Sequence, residues 1–222
     1  MKNSLLLLFV LVAFFSCKQK EEAKIVTNEL SVAEKIANAN GIENWKNVKR
    51  IDFTFNVSRD TSNTKRSWRW SPKTGDITLI SETDTISYNQ KSVDSLSMNA
   101  DKKFINDKFW LLAPFQLVWD KKTTFSEPSK ENAPIGKNTL NKITLTYSNE
   151  VGYTPGDAYD LYYDDDFFIK EWIYRKGNSI EPTVISTWEN YQDFNGLKLA
   201  LVRNKEEGHW KLYFTGINVE VE

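Results

Sequence analysis

Carboxylates are the side chains best able to do chemistry in this sequence, and they gather in two places. Asp157, Asp160, Asp164, Asp165 and Asp166 crowd one short stretch. Calcium takes six to eight oxygen ligands, so such a run invites a cation-binding reading. It lacks the central glycine and closing glutamate of an EF-hand loop, and a hairpin turn flanked by aspartates is the simpler reading. Glu171 and Glu189, on neighbouring predicted strands, form the second candidate. Glycoside hydrolysis needs two such acids facing one cleft at roughly 5 to 9 Å. Charges that alternate along a strand are ordinarily its solvated side. The single histidine, His209, lies in Gly208-His209-Trp210, and no Gly-x-Ser-x-Gly turn is present to hold a nucleophile beside it. Zinc sites draw on cysteine and histidine, and the chain has one of each. No glycine loop able to cradle phosphate occurs. The sequence is therefore read as non-enzymatic, with no catalytic residue, no metal and no cofactor expected.

Cys17 is the exception, because its neighbours assign it a chemistry. Lys2 and a short apolar run, Leu5 to Phe15, precede it. As a helix that run spans only about 16 Å, against roughly 30 Å of bilayer hydrocarbon. A charged start, a short greasy stretch and a small residue at the cut are the plan of a secretory signal. Phe14-Phe15-Ser16-Cys17 resembles the lipobox of bacterial lipoproteins, with bulkier residues before the serine than most, a departure that Bacteroidota-type lipoproteins tolerate. The expected organisation is a signal peptide over 1–16, a lipidated cysteine and tether over 17–27, and one domain over 28–222. Lasting anchorage takes two acyl chains or more, which a diacylglyceryl cysteine supplies. The membrane, reached through Cys17, is thus the first expected partner, and the outer membrane the expected location. Lys20-Glu21-Glu22 resembles the lysine-and-acid signal that directs some Bacteroidota lipoproteins to the cell surface; a plain solvated tether is the alternative.

The net charge is −1, with lysines scattered among acids, so no nucleic acid partner is expected. Aromatics at 14% and charged residues at 27% mark a folded chain. Ser31-Val32-Ala33-Glu34 has capping-box spacing. Leu30, Ala33, Ile36 and Ala37 then recur at helical intervals until Gly41, which sits where a left-handed helix end belongs. A short helical turn is expected through Glu43-Asn44-Trp45. From Arg50 the period becomes two: Ile51, Phe53, Phe55 and Val57 alternate with Asp52, Thr54 and Asn56. Strands follow over 65–71, 76–81 and 84–89, then over 142–148, 158–163, 167–175, 183–191, 197–204 and 209–214. Between the two groups Ala100 to Phe115 reads as a helix limited by Pro114. The fold class expected is α+β, mostly β: a strongly curved antiparallel sheet of about nine to eleven strands, an unclosed barrel, covered by the N-terminal helix and the central helix.

Such sheets often leave an apolar pocket beneath their helices. Its expected lining is Phe53, Phe55, Trp68, Trp70, Phe104, Phe109, Trp110 and Leu112. Trp68 and Trp70 share one side of their strand, with Arg69 on the other. Packing of the core alone would account for the same residues, since each indole buries ~200 Å².

Two segments carry a resemblance. Tyr159-Asp160-Leu161-Tyr162-Tyr163-Asp164, a turn and Phe168-Ile169-Lys170-Glu171-Trp172-Ile173-Tyr174 resemble a hairpin of the LolA/LolB-like superfamily. Thr187-Trp188-Glu189-Asn190-Tyr191-Gln192-Asp193-Phe194-Asn195-Gly196-Leu197-Lys198-Leu199 resembles that group's strand, glycine turn and strand. The resemblance implies an unclosed barrel with a helical lid over an apolar cavity that takes up acyl chains or other lipids. Arg50, Arg59, Arg66 and Arg69 compete for the place of the arginine used near the lid. A soluble carrier has no lipid anchor, whereas this chain is expected to have one. The expected function is a membrane-anchored lipoprotein binding a lipid or acyl chain. The alternative is a structural or protein-interaction lipoprotein with a solid core, its protein partner unidentified; a carboxylate hydrolase is the third possibility. Replacing Cys17 with Ser is expected to abolish incorporation of labelled palmitate and to release the protein from the membrane fraction; palmitate retained on the C17S chain would refute lipidation at this residue.

Overall fold

The computed structural model describes residues 29–150 and 154–222. The expected signal peptide, Cys17 and the tether lie outside the described residues. Helix α1, Val32–Ala39, begins as its capping box requires: the Glu34 N–H donates to Ser31 Oγ at 3.3 Å, and the Ser31 N–H donates to the Glu34 carboxylate at 2.8 Å. It ends at Asn40 and Gly41, whose φ of +85° is costly for a residue with a Cβ. Space forbids a side chain there as well, because a Cβ on Gly41 would meet the Gly196 carbonyl oxygen at 1.9 Å. A 3-10 turn over Ile42–Asn47 follows and leads into the sheets.

The described residues contain thirteen strands in two antiparallel sheets that do not close into a barrel. Strand β1, Val48–Arg59, is central to the first. On one side it pairs with β2 (Ser62–Ser71), which continues through β3 (Asp76–Ile80) to β4 (Thr85–Asn89). On the other it pairs with β13 (Lys211–Val221), then β12 (Leu197–Asn204) and β11 (Glu189–Phe194). The second sheet runs β10 (Val184–Thr187), β9 (Ile169–Arg175), β8 (Ala158–Tyr163), β7 (Thr139–Tyr147) and β5 (Thr123–Phe125), with β6 (Ser129–Asn132) also on β7. The period-two reading holds in β1 and β2: Ile51, Phe53 and Phe55 are buried, and so are Trp68 and Trp70, while Arg69 is exposed and pairs with Asp52.

The count exceeds nine to eleven for two reasons. Strands β5 and β6 are short and carry little apolar alternation. The stretch 183–191, expected as one strand, is two, and they belong to different sheets. The chain changes sheet at Trp188, whose backbone N–H donates to the Lys170 carbonyl at 2.6 Å and whose side chain is 2% exposed. Asn190, the second residue of β11, has φ of +56°. An alternating pattern specifies which side of a strand is buried, not which sheet it joins.

Helix α2, Met98–Trp119, runs between the sheets. It passes Pro114 instead of ending near it, and its backbone departs from helical angles at Leu112 (φ −116°, ψ 19°). Ala100, Phe104, Leu111, Leu112 and Phe115 pack into the core of the first sheet, and Phe109, Ala113 and Leu117 into that of the second. Within this apolar setting Asp107 is fully buried. It accepts a forked pair from Arg66 Nε (2.7 Å) and Nη2 (2.6 Å), and a third bond from Trp68 Nε1 (2.9 Å). Removing one partner of a buried pair leaves the other charge uncompensated, so Asp107→Ala is expected to lower unfolding free energy by about 3 kcal/mol or more. Urea denaturation measures this; a loss under about 1 kcal/mol would mean that the fork contributes little to holding α2.

Candidate functional site

The space expected beneath the central helix is filled by the protein's own side chains. Trp68 and Trp70 both meet Phe104 edge-on, at 5.3 and 5.4 Å between ring centres, and Phe53 meets Phe214 at 6.1 Å. Phe53, Trp68, Phe104 and Leu112 are no more than 1% exposed, and Trp70 is buried beside them. These five expected lining residues are core. The reason is the depth at which α2 lies: a helix enclosed between two sheets occupies the concavity that a lid would leave open. Phe55, Phe109 and Trp110 do reach openings, along the flank of α2 near its middle.

There, an open cleft of about 650 Å³ lies between α2, the β1–β2 turn and the loop from β12 to β13. Its apolar wall includes Phe55, Val57, Trp110, Val184, Trp210 and Leu212, and its polar rim carries Arg59, Asp60, Lys205, Glu207 and His209. A narrower hollow of about 240 Å³ adjoins it, walled by Phe109, Trp110, Tyr159, Trp172 and Tyr174. Asn106, Trp110 and Val184 border both spaces. Trp110 is the partition between them. Its ring lies 4.5 Å from that of Trp172 and 6.3 Å from that of Trp210, and Lys205 Nζ stands 5.4 Å above the Trp210 ring. The sequence displays Trp172 and Trp210 only as two more indoles. Their place here follows from which strands become neighbours, which no local spacing encodes.

The acids that raised catalytic and calcium readings have structural partners. Glu171, buried, accepts from the backbone N–H groups of Ile135 and Gly136, each at 2.7 Å. Glu189 accepts from Asn204 Nδ2. Asp160 accepts from Arg175 and from Thr144 Oγ1, and Asp164 from the N–H groups of Asp166 and Phe168. Asp157 accepts from the Gly177 N–H and from Tyr174 Oη at 2.7 Å. Burial, reinforced by that carboxylate, pushes the Tyr174 pKa up, so the phenol facing the hollow remains a neutral donor. Among the described residues no three His, Cys, Asp or Glu side chains gather as a metal would require. His209 lies on the exposed rim. Of the four competing arginines, Arg50 and Arg69 pair with acids of the first sheet, Arg59 is on the rim, and Arg66 reaches α2.

No family model matches the chain, and no curated protein matches it in sequence. Solved structures do match in shape. A LolA superfamily protein from Nitrosomonas europaea aligns with a TM-score of 0.50 at 9% identity, over 85% of this chain and 92% of that one. The fold is LolA-like. A DUF1329 family protein from Desulfovibrio piger aligns with a TM-score of 0.48 at 9% identity, over 86% of this chain and 92% of that one. Within this LolA-like frame the cleft opens beside the two turns at 59–62 and 205–210, alongside the middle turns of α2 that carry Asn106 and Trp110.

Trp110→Ala is expected to weaken binding of the apolar dye 1-N-phenylnaphthylamine by about tenfold, since a large aromatic at the centre of a site carries a disproportionate share of affinity. Phe125→Ala, in a groove elsewhere, should leave it unchanged. Fluorescence titration compares the two; equal affinities would place the dye outside the cleft.

Proposed function

We propose that this protein is a lipid-anchored envelope protein that binds an apolar ligand, an acyl chain or another lipid, in the cleft beside Trp110. The observation that carries this reading is the pair of adjoining openings with largely aromatic walls, the narrower one mostly apolar, that share the half-buried Trp110 indole. Ligand sites are usually concave, mostly apolar and bordered by a few polar groups, and this one has that composition. Its combined volume suits one chain or a small lipid, not a bulky molecule.

The LolA-like fold agrees with a binding role without specifying the ligand. Anchorage through Cys17 would hold the cleft near a membrane, and the outer membrane is the location we propose. We read the protein as non-enzymatic, because the acids that could act as a pair are each committed to other groups: Glu171 to two backbone amides and Glu189 to Asn204. A second reading has its own support. The interlocked rings of Phe53, Trp68, Trp70 and Phe104 fill the concavity, as a lipoprotein built to meet another protein would allow.

Native mass spectrometry separates the two. Residues 24–222, produced without the signal and the lipidated cysteine and extracted gently from cells, should carry a co-purifying lipid of defined mass. A clean unliganded mass, unchanged after incubation with lipid extract, would overturn the lipid reading and favour the interaction protein.

A further inference from the structure

In an α-helix the carbonyl of residue 110 accepts from the N–H of residue 114. Here residue 114 is proline, which has no N–H to give. The Trp110 carbonyl is therefore left without that backbone donor, partly buried and next to the break at Leu112. A donor arrives from another element. Arg203 of β12 reaches across and donates from Nη2 to the Trp110 carbonyl at 2.9 Å.

Arg203 is 0% exposed and forms no ion pair among the described residues. Its Nη1 donates to the carbonyls of Ala200 (3.1 Å) and Val202 (3.0 Å), and its guanidinium carbon lies 3.5 Å from the centre of the Trp188 ring. Burial pushes its pKa down to about 9, so it still carries its charge at neutral pH. Burying a charge is strongly unfavourable, and carbonyl dipoles, one indole and the longer-range attraction of Glu189 offset it only in part. An apolar residue would fill this volume without that cost. What arginine adds is a rigid fork that can meet several carbonyls at once, one of them across the interior.

We propose that Arg203 is the positioning residue of the cleft: by replacing the donor that Pro114 removes, it fixes the bend of α2 and hence the stance of the Trp110 indole between the two openings. The inference rests on reading the cleft as a ligand site. It assigns Arg203 no contact with the ligand, and Arg203 borders neither opening.

The test pairs two positions that act on one carbonyl. Arg203→Met removes the substitute donor, Pro114→Ala restores the backbone donor, and the double variant does both. Leaving a buried carbonyl unpaired should weaken 1-N-phenylnaphthylamine binding in R203M on the order of tenfold. The double variant should recover to within about twofold of P114A alone, because the 114 N–H makes Arg203 dispensable. Arg203→Lys, which keeps a donor but not the fork, should fall between R203M and the unaltered protein. Normal dye binding in a folded R203M, or a double variant no better than R203M, would overturn the proposal. Amide hydrogen exchange over residues 110–118 reads the same claim without any ligand. Exchange should quicken in R203M and slow again in the double variant, and unchanged protection in R203M would overturn it. If the unaltered protein fails to bind the dye, the ligand reading falls, while the exchange result still decides the role of Arg203. If R203M does not fold, recovery of folding in the P114A background supports the proposal and its absence overturns it.

Discussion

A helix with apolar residues on opposite sides cannot rest on one sheet and leave the other side in water. Helix α2 is such a helix, with Phe104, Leu112 and Phe115 committed to one core and Phe109, Ala113 and Leu117 to another. Burial of those rings and branched chains at about 25 cal/mol per Å² makes exposure of either side prohibitive. Both sheets must therefore curve towards the helix, and the space between them becomes its volume. The Arg66–Asp107 fork adds orientation to that attraction. Hydrophobic burial is indifferent to small rotations about the helix axis, whereas a carboxylate receiving three bonds from β2 in one geometry is not.

This arrangement decides where an opening can exist. The side of α2 that carries Phe104 and Leu112 is buried against the first sheet, and the openings lie beside its middle turns, where Trp110 is only half-buried. The helix bend and the buried arginine thus share one cause: a proline inside an enclosed helix, one turn past the Trp110 that borders both openings. Buried polar groups are tolerated when each finds a partner, and the Trp110 carbonyl finds one on a strand 93 residues further along the chain.

Much of this is readable from residue types and their intervals. The capping box at Ser31, the left-handed Gly41, the alternation of β1 and the helix through Phe104 and Phe109 are all local consequences of local sequence. What escapes such reading is anything decided by a partner distant in sequence. Pro114 looks like a stop because proline usually is one; its tolerance depends on Arg203. The stretch 183–191 looks like one strand because Trp188 maintains the alternation while the backbone changes sheet. Five of the eight residues expected around the pocket are core for a similar reason. Aromatic residues on the concave side are equally suited to lining a void and to filling it, and only the depth of the helix distinguishes the two. Trp172 and Trp210 border the openings because of strand neighbours fixed by the whole topology.

The pairing of β1 with β13 places Val48 opposite Val221. The strand central to the first sheet thus waits for nearly the last residues of the chain, while the strands of the second sheet lie between Thr123 and Thr187 and pair among themselves. Contacts so distant in sequence form slowly, because a long loop must close before any reward is gained. A chain emerging from its N-terminus would hold β1 with one edge unsatisfied until β13 has followed it, after all the strands of the second sheet. An edge left open for that interval is a template for wrong pairing, so association of incomplete chains is most favoured along β1.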